Sequence, residues 1–304
     1  MQPDPKRNPQ EAAFEAERGR LTGLAYRMLG TRADAEDILQ DAWLRWQRAP
    51  ANDVENPAAY LSTIVTRLCL DRMKQARHRR EIYVGPWLPE PILTDPSLTV
   101  TPMETLDRDV SFALMTALER LSPLERAAFI LHDIFETPFN EIATLLERSE
   151  AACRQLASRA RGNIAAARPR FVPEAAEADE LADAFFAAAR TGDTKVLKQM
   201  LADDARLHTD GGGLKAAALN IIETADKISR FFAGLARKPQ IGRPLLARRV
   251  NVNDLPALLS LEYDGTRQAA ILDIAAGEIR TIYIIRNPEK LDRLWADANL
   301  NDPV

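Results

Sequence analysis

TPFNEIATLLERSEAACRQLASRARGNIA, residues Thr137–Ala165, is the stretch on which the reading of this chain turns. Thr137-Pro138 supplies a capping residue and a proline for a helix start. Ile142, Ala143, Leu145 and Leu146 then give an apolar stripe at helical spacing. Ser149 opens a second helix a few residues later. On it Ala152, Cys153, Leu156 and Ala160 fall inward, and Arg154, Gln155, Ser158 and Arg159 fall on the opposite face. The outward set suits nucleic acid: Arg reaches guanine through two hydrogen bonds, Gln reaches adenine, and Ser takes a base or a phosphate. The spacing alone equally describes an amphipathic helical hairpin with a solvated basic face. The turn of a helix-turn-helix goes left-handed where glycine is usual, and Glu147 stands there at a strain of roughly 1 kcal/mol.

A chain of 304 residues is long enough for two or three domains with their own cores. No apolar run approaches the ~18 residues of a membrane span. The first thirty residues lack the basic-then-apolar order of a secretory signal. Met1–Gln10 is therefore read as a polar tail, and a cytoplasmic location with no membrane partner is expected. Cys69 and Cys153 are too few for a zinc site and are read as buried structural thiols; no metal and no cofactor are expected. The net charge of −4 is unevenly spread. Residues 67–80 carry Arg67, Arg72, Lys74, Arg77, Arg79 and Arg80 against Asp71, a local +5, and residues 148–170 carry six arginines against Glu150, again +5. The stretch 101–147 between them is locally −6. Two basic helices around a helix-turn-helix favour two contacts with one nucleic acid.

Residues 11–30 form a first helix with Phe14, Leu21, Leu24, Ala25, Met28 and Leu29 as its stripe, ended at Gly30. Thr31 and Asp34 resemble a capping box, and an amphipathic helix follows. Its polar face shows Asp34, Asp37, Gln40 and Asp41, with Trp43, Leu44 and Trp46 alongside. That combination suits docking on a basic protein surface, although the tryptophans alone also fit a core. After the polar loop Pro50–Asn56, Asn56-Pro57 caps a helix running to about Arg80. Tyr60, Leu61, Ile64, Val65 and Leu68 face the core. Thr63, Arg67, Asp71, Lys74 and His78 stack on the other side, where DNA is expected. Residues 81–103 hold Pro86, Pro89, Pro91, Pro96 and Pro102, a density that forces extended backbone, so they read as a semi-rigid linker anchored by Trp87. Helices resume at about Pro102–Leu121, and Ser122-Pro123-Leu124-Glu125 starts another.

A short linker at 169–178 precedes a change of pattern. Two short helices broken at Gly192 and a third at Asp226–Arg237 are followed, after Pro244, by four alternating runs. Asn253-Asp254, Asp264-Gly265 and Ala276-Gly277 separate them, as in an antiparallel meander. The expected organisation is an all-α domain at 11–80, the linker 81–103, an all-α helix-turn-helix domain at 104–168, the linker 169–178 and an α+β domain at 179–304.

The order of acidic helix, basic helix, linker and helix-turn-helix resembles the extracytoplasmic-function sigma factors of bacterial RNA polymerase. DAEDILQDAWLRW is similar to their core-binding helix and SEAACRQLASRAR to their −35-reading helix. WLPEP at Trp87–Pro91, Asp210-Gly211-Gly212-Gly213 and Asn287-Pro288-Glu289-Lys290-Leu291 are similar to markers of the SigJ-like group, which carries a fused SnoaL-like domain. Two departures stand out: Leu214 precedes Lys215 after the three glycines, and Asn253-Asp254-Leu255-Pro256 replaces an Asn-Gly-x-Pro pattern. The resemblance implies a sigma-2 bundle, a sigma-4 helix-turn-helix and a SnoaL-like cone with a curved antiparallel sheet. It implies an alternative sigma factor, not an enzyme, whose partners are core RNA polymerase, through the clamp of the largest subunit and the flap, and promoter DNA. Asp34, Asp37, Gln40, Asp41 and Leu44 would bind core polymerase. Thr63, Arg67, Asp71 and Lys74 would read the −10 element, and Arg154, Gln155, Ser158 and Arg159 the −35 element. Trp87, Leu88, Pro89, Asp210, Gly211, Gly212, Gly213, Asn287, Pro288 and Lys290 would make regulatory contacts, under control of a small-molecule ligand in the C-terminal pocket.

SnoaL-like relatives that catalyse use a buried acid–base pair, for which His208 and Asp210 are the candidates, two apart on one strand face. A single His near a glycine-rich turn is more often structural. Two other classes compete with the sigma factor. A ligand-responsive helix-turn-helix regulator leaves the acidic helix and the 67–80 cluster without a role, and a SnoaL-type enzyme with a DNA-binding appendage implies no substrate.

Overall fold

The computed structural model describes residues 9–49, 54–80, 83–94, 112–165, 175–238 and 244–300. The expected helix start near Pro102, residues 169–174 of the expected 169–178 linker and the side chain of His78 lie outside them, while residues 175–178 of that linker are helical. Two compact units are present, one holding described residues 9–80 and 114–165, the other 83–94, 112–113 and 175–300.

The first unit begins with α1 (Pro9–Leu29), α2 (Arg32–Gln47) and α3 (Pro57–Arg80). Gly30 takes φ +79 and closes α1, and Thr31 caps α2 by accepting from the Asp34 amide at 3.2 Å. Phe14, Leu21, Leu24 and Met28 of α1 are buried with Ala35, Ile38, Leu39 and Ala42 of α2 and Leu61, Val65 and Cys69 of α3. The tryptophans of α2 serve this core. Trp46 is buried and donates its indole N–H to the Gln10 carbonyl at 2.8 Å, and Trp43 tilts against Phe14 at 5.0 Å. Tyr60, expected inside, is exposed, because the buried stripe of α3 runs Leu61, Val65, Leu68, Cys69 and Met73, which leaves Tyr60 at its margin.

From Leu114 the same unit continues through the rest of α4 (Phe112–Leu118), α5 (Pro123–Phe129), a π-helical turn at Ile130–Ile134, α6 (Phe139–Leu146) and α7 (Glu150–Ala165). Ser122 and Glu125 form the expected capping box at α5. Buried Arg126 on α5 donates to the Met28 carbonyl at 2.8 Å and pairs with Glu119 at 2.7 Å, tying α5 to α1. At α6 the structure corrects the expected start: Pro138 is extended at the cap position, and Thr137 donates its amide to Leu131 at 2.9 Å. With Glu136 left-handed at φ +53, the chain leaves the π turn too late for Thr137 to cap the helix.

The second unit contains α8 (Ala175–Thr191), α9 (Thr194–Met200), β1 (Leu201–Asp210), β2 (Ile222–Glu223), α10 (Ala225–Ala236), β3 (Leu246–Val252), β4 (Leu255–Leu261), β5 (Arg267–Ala275), β6 (Glu278–Ile285) and α11 (Pro288–Asp297). This is the expected SnoaL-like α+β arrangement with one correction. The sheet order is β2-β1-β6-β5-β4-β3, and β1 runs parallel to β6, so the sheet is mixed and not purely antiparallel. The meander β3–β6 is antiparallel as its turns required, with Asn253 and Asp254 both left-handed at φ +49 and +61. β1 joins from outside that meander through α10, and such a crossover permits a parallel neighbour. One sheet face is covered by α8, α9 and α10, with Phe185, Leu197, Leu207, Ile228, Leu272 and Ile282 in its core. The other buries Val250, Leu259, Ile271, Tyr283 and Ile285 against Leu88 and Trp295.

Candidate nucleic-acid interface and linker latch

The outward face of α7 follows from where its inner face packs. Cys153, Ala157, Ala160 and Ile164 are buried, one turn apart in succession, while Ala152 and Leu156 sit at the margin. Arg154, Gln155, Ser158 and Arg159 are therefore all exposed on one side. Ser149 caps α7 by accepting from the Ala152 amide at 3.2 Å. Glu147, between the helices, takes φ +55 and ψ +48, the left-handed conformation the turn requires. Burial pushes the Cys153 thiol up, consistent with a packing role.

On α3, Arg67, Asp71 and Lys74 are exposed and Thr63 is half-buried. Thr63 donates its hydroxyl to the Ala59 carbonyl at 2.9 Å. Lys74 lies 3.1 Å from Asp71, both largely solvated, so solvent screens the pair. Arg67 reaches Glu147 of the turn at 3.6 Å. Arg72, counted in the basic cluster from sequence, points elsewhere: it pairs with Asp34 at 3.4 Å and Asp37 at 2.8 Å on α2. Composition could not show this, because it depends on which faces of α2 and α3 meet.

On α2, Asp37, Gln40, Asp41 and Leu44 are exposed at i, i+3, i+4 and i+7 and form one face; Leu44 is half exposed. Asp34 sits at its end, shared between Arg72 and the Thr31 hydroxyl, which donates to it at 2.7 Å.

In the second unit three motifs far apart in sequence meet. Asp210, wholly buried, accepts from the Tyr83 hydroxyl at 2.6 Å, the Gly212 amide at 3.0 Å, the Leu88 amide at 2.9 Å and the Lys290 ammonium at 2.7 Å. Lys290 also donates to the Leu88 carbonyl and lies 4.1 Å from the Trp87 ring centre and 5.2 Å from that of Tyr83. Asn287 donates to the Tyr83 oxygen at 3.0 Å and accepts from the Glu289 amide at 3.1 Å, capping α11 with Pro288 in its first turn. The Asn287–Leu291 motif thus opens a helix. Gly211 and Gly212 are required here: a Cβ would stand 2.0 Å from the Lys215 carbonyl oxygen at the first and 2.5 Å from Asn287 at the second, where φ is +63. Gly213, φ +72, faces Val84. Burial, then the bond to Asp210, push the Tyr83 phenol well above its usual range.

This latch holds the proline-rich segment against the sheet. Residues 83–94 are non-helical and bend at Gly85, φ +85; Leu88, Pro89 and Glu90 are buried, and Leu93 bridges Val252. Asn253 donates its amide to the Ile92 carbonyl at 2.8 Å and accepts from the Ile92 amide at 2.9 Å. Tyr83 and Asn253 are contacts the sequence reading missed; the pairing of Asn253 with Ile92 lies 161 residues apart in the chain.

His208 is buried beside Tyr283, ring centres 5.5 Å apart, on the same strand as Asp210. Asp273, a buried carboxylate at a bulge of β5, is pushed up to about 6 by burial, with Arg280 opposing. Among the described residues no group of three or more His, Cys, Asp or Glu is placed to hold a metal ion, and no helix is long and apolar enough to cross a membrane.

Comparison with known proteins assigns the two helical blocks. Residues 13–79 match Sigma-70 region 2 and residues 111–164 match Sigma-70, region 4. The chain is 44% identical over 233 residues to the ECF RNA polymerase sigma factor SigJ of Mycobacterium tuberculosis, covering 74% of this chain and 72% of that relative. It is 34% identical over 305 residues to the probable ECF RNA polymerase sigma factor SigI of the same species, covering 95% and 97%. The crystal structure of M. tuberculosis SigJ aligns with a TM-score of 0.77 at 34% identity, covering 96% of this chain and 100% of that one.

Proposed function

Since this chain belongs to the extracytoplasmic-function RNA polymerase sigma factors and, as such, directs promoter-specific transcription with core polymerase, we propose how its residues divide that work. The face Arg154, Gln155, Ser158 and Arg159 reads the −35 element. Thr63, Arg67, Asp71 and Lys74 of α3 face the −10 element, and Asp34, Asp37, Gln40, Asp41 and Leu44 dock on the clamp of the largest subunit, with the helix-turn-helix block on the flap. The observation that carries this reading is the four-residue face of α7, all four residues exposed and backed by buried Cys153, Ala157, Ala160 and Ile164. The work is placed in the cytoplasm, where the polymerase is.

The organisation proposed is a sigma-2 domain at 11–80, a linker at 81–103, a sigma-4 domain at 104–168, a linker at 169–178 and a regulatory domain at 179–304. Its regulatory contacts are those of the latch: Trp87, Leu88, Pro89, Asp210 to Gly213, Asn287, Pro288 and Lys290. Pinning residues 83–94 shortens the freely adjustable chain between the two DNA-reading blocks, and so restrains activity in cis. Catalysis is not part of this reading, in which Asp210 is taken up by Tyr83, Leu88, Gly212 and Lys290. The expected pocket ligand draws no support from an interior where Phe185 packs edge-on against Phe186 and Phe232.

Run-off transcription with purified core polymerase tests the division of labour. Arg154→Ala should lose about 1–3 kcal/mol of discrimination at one base pair of the −35 element. Lys74→Ala should weaken binding to all promoter variants and flatten the salt dependence. Equal loss on every −35 variant for Arg154→Ala would show that the reading face is misplaced.

A further inference from the structure

We propose that Phe139 and Glu150 are positioning residues that preset Arg154 for base recognition, a step that rests on the reading of Arg154 as a −35 contact. The Arg154 guanidinium carbon lies 5.3 Å from the centre of the Phe139 ring, and Nη2 donates to the Glu150 carboxylate at 2.7 Å. Phe139 opens α6, while Glu150 and Arg154 sit one turn apart on α7, so the ring and the carboxylate reach the guanidinium from different helices. Phe139 is itself backed by His132, ring centres 3.9 Å apart and planes 30° from parallel. His132 is fixed in turn by a 3.0 Å contact of Nδ1 with the Thr137 carbonyl.

The arrangement has a physical consequence for reading DNA. An arginine free in solvent surrenders most of its rotamer freedom when it meets a base, whereas one already held has surrendered part of it on folding. The Glu150 pair alone is a weak restraint, because both side chains are about half exposed and solvent screens it. The ring adds a restraint that solvent does not screen in the same way, holding the guanidinium over its face. One bond to Glu150 leaves other N–H donors of the fork for the two acceptors of a guanine edge. Phe139 therefore contributes to specificity without touching a base.

Binding of promoter duplexes to the full chain, alone and as holoenzyme, tests this with a double-mutant cycle. Arg154→Ala first identifies the base pair at which discrimination is lost. At that pair Phe139→Leu should lower the ratio of cognate to mismatched affinity roughly two- to fivefold. Phe139→Tyr should restore the ratio, and Phe139→Leu should add nothing in an Arg154→Ala background. The surface change Glu150→Gln, which does not threaten folding, should lower the same ratio by a smaller factor. If Phe139→Leu and Glu150→Gln weaken cognate and mismatched duplexes equally, or if their effect on the ratio persists without Arg154, the positioning role is overturned. If Arg154→Ala itself leaves every ratio unchanged, the underlying reading of Arg154 fails first and the proposal falls with it.

Discussion

Glu147 carries the backbone conformation on which the helix-turn-helix depends, and it does so without glycine. At φ +55 its Cβ crowds the neighbouring peptide, while its carboxylate pairs with Arg67 at 3.6 Å, an exposed contact that solvent screens. Glu147→Gly should therefore raise the stability of the helical unit by at most about 1 kcal/mol, relief of strain being offset by glycine's larger unfolded freedom; thermal unfolding reads this directly. Asp273 makes the opposite kind of point. Its carboxyl is pushed up to about 6, above the ordinary ~3.9, so the folded state binds the proton more tightly than the unfolded chain. The sign follows: stability declines as pH rises from about 4 to about 6, and the full penalty, on the order of 2–3 kcal/mol, is present above that window. Asp273→Asn should thus stabilise the second unit at pH 7.5 and lose that advantage by pH 4. A gain that is the same at both pH values would show that ionisation of Asp273 is not its source.

At the scale of elements, helices were legible and their partners were not. The stripes of α1, α2, α6 and α7 follow from apolar spacing, and the capping box at Ser122 from three residues. The margin residues were not fixed this way: Tyr60 fell outside and Ala157 inside, because a helix rotates slightly to suit the helix it packs on. Arg72 shows the same limit for charge, being spent on Asp34 and Asp37 of α2. The latch is the element-scale feature with the largest energetic stake. Lys290→Leu would leave Asp210 buried with three neutral donors and no countercharge, at a cost of roughly 3–5 kcal/mol. The second unit should melt earlier, and residues 83–94 should gain hydrogen exchange before the sheet does. Unchanged exchange in that segment would mean the strand-like contacts at Leu93 and Asn253 hold it unaided.

For the whole molecule, the chain threads between units: residues 83–94 belong with the sheet, although they lie in sequence between α3 and α4. Truncation after Arg170 removes the sheet that holds this segment and leaves α7 whole. It should change transcription from a promoter while preserving the rank order of −35 variants, since the reading face is unaltered. A truncated protein with unchanged output would remove the regulatory role proposed for the C-terminal unit. By itself the sequence determined the helical blocks, the exposed quartet on α7, the left-handed demand at Glu147 and the meander, because helix and strand periodicity and turn chemistry act over a few residues. The tertiary structure alone decided that β1 lies parallel to β6, and that Asp210, Lys290, Tyr83 and Leu88 share one buried charge pair. The contacts around that charge pair join residues 80 to 202 positions apart, and nothing in local spacing encodes which distant segment will neutralise a buried carboxylate.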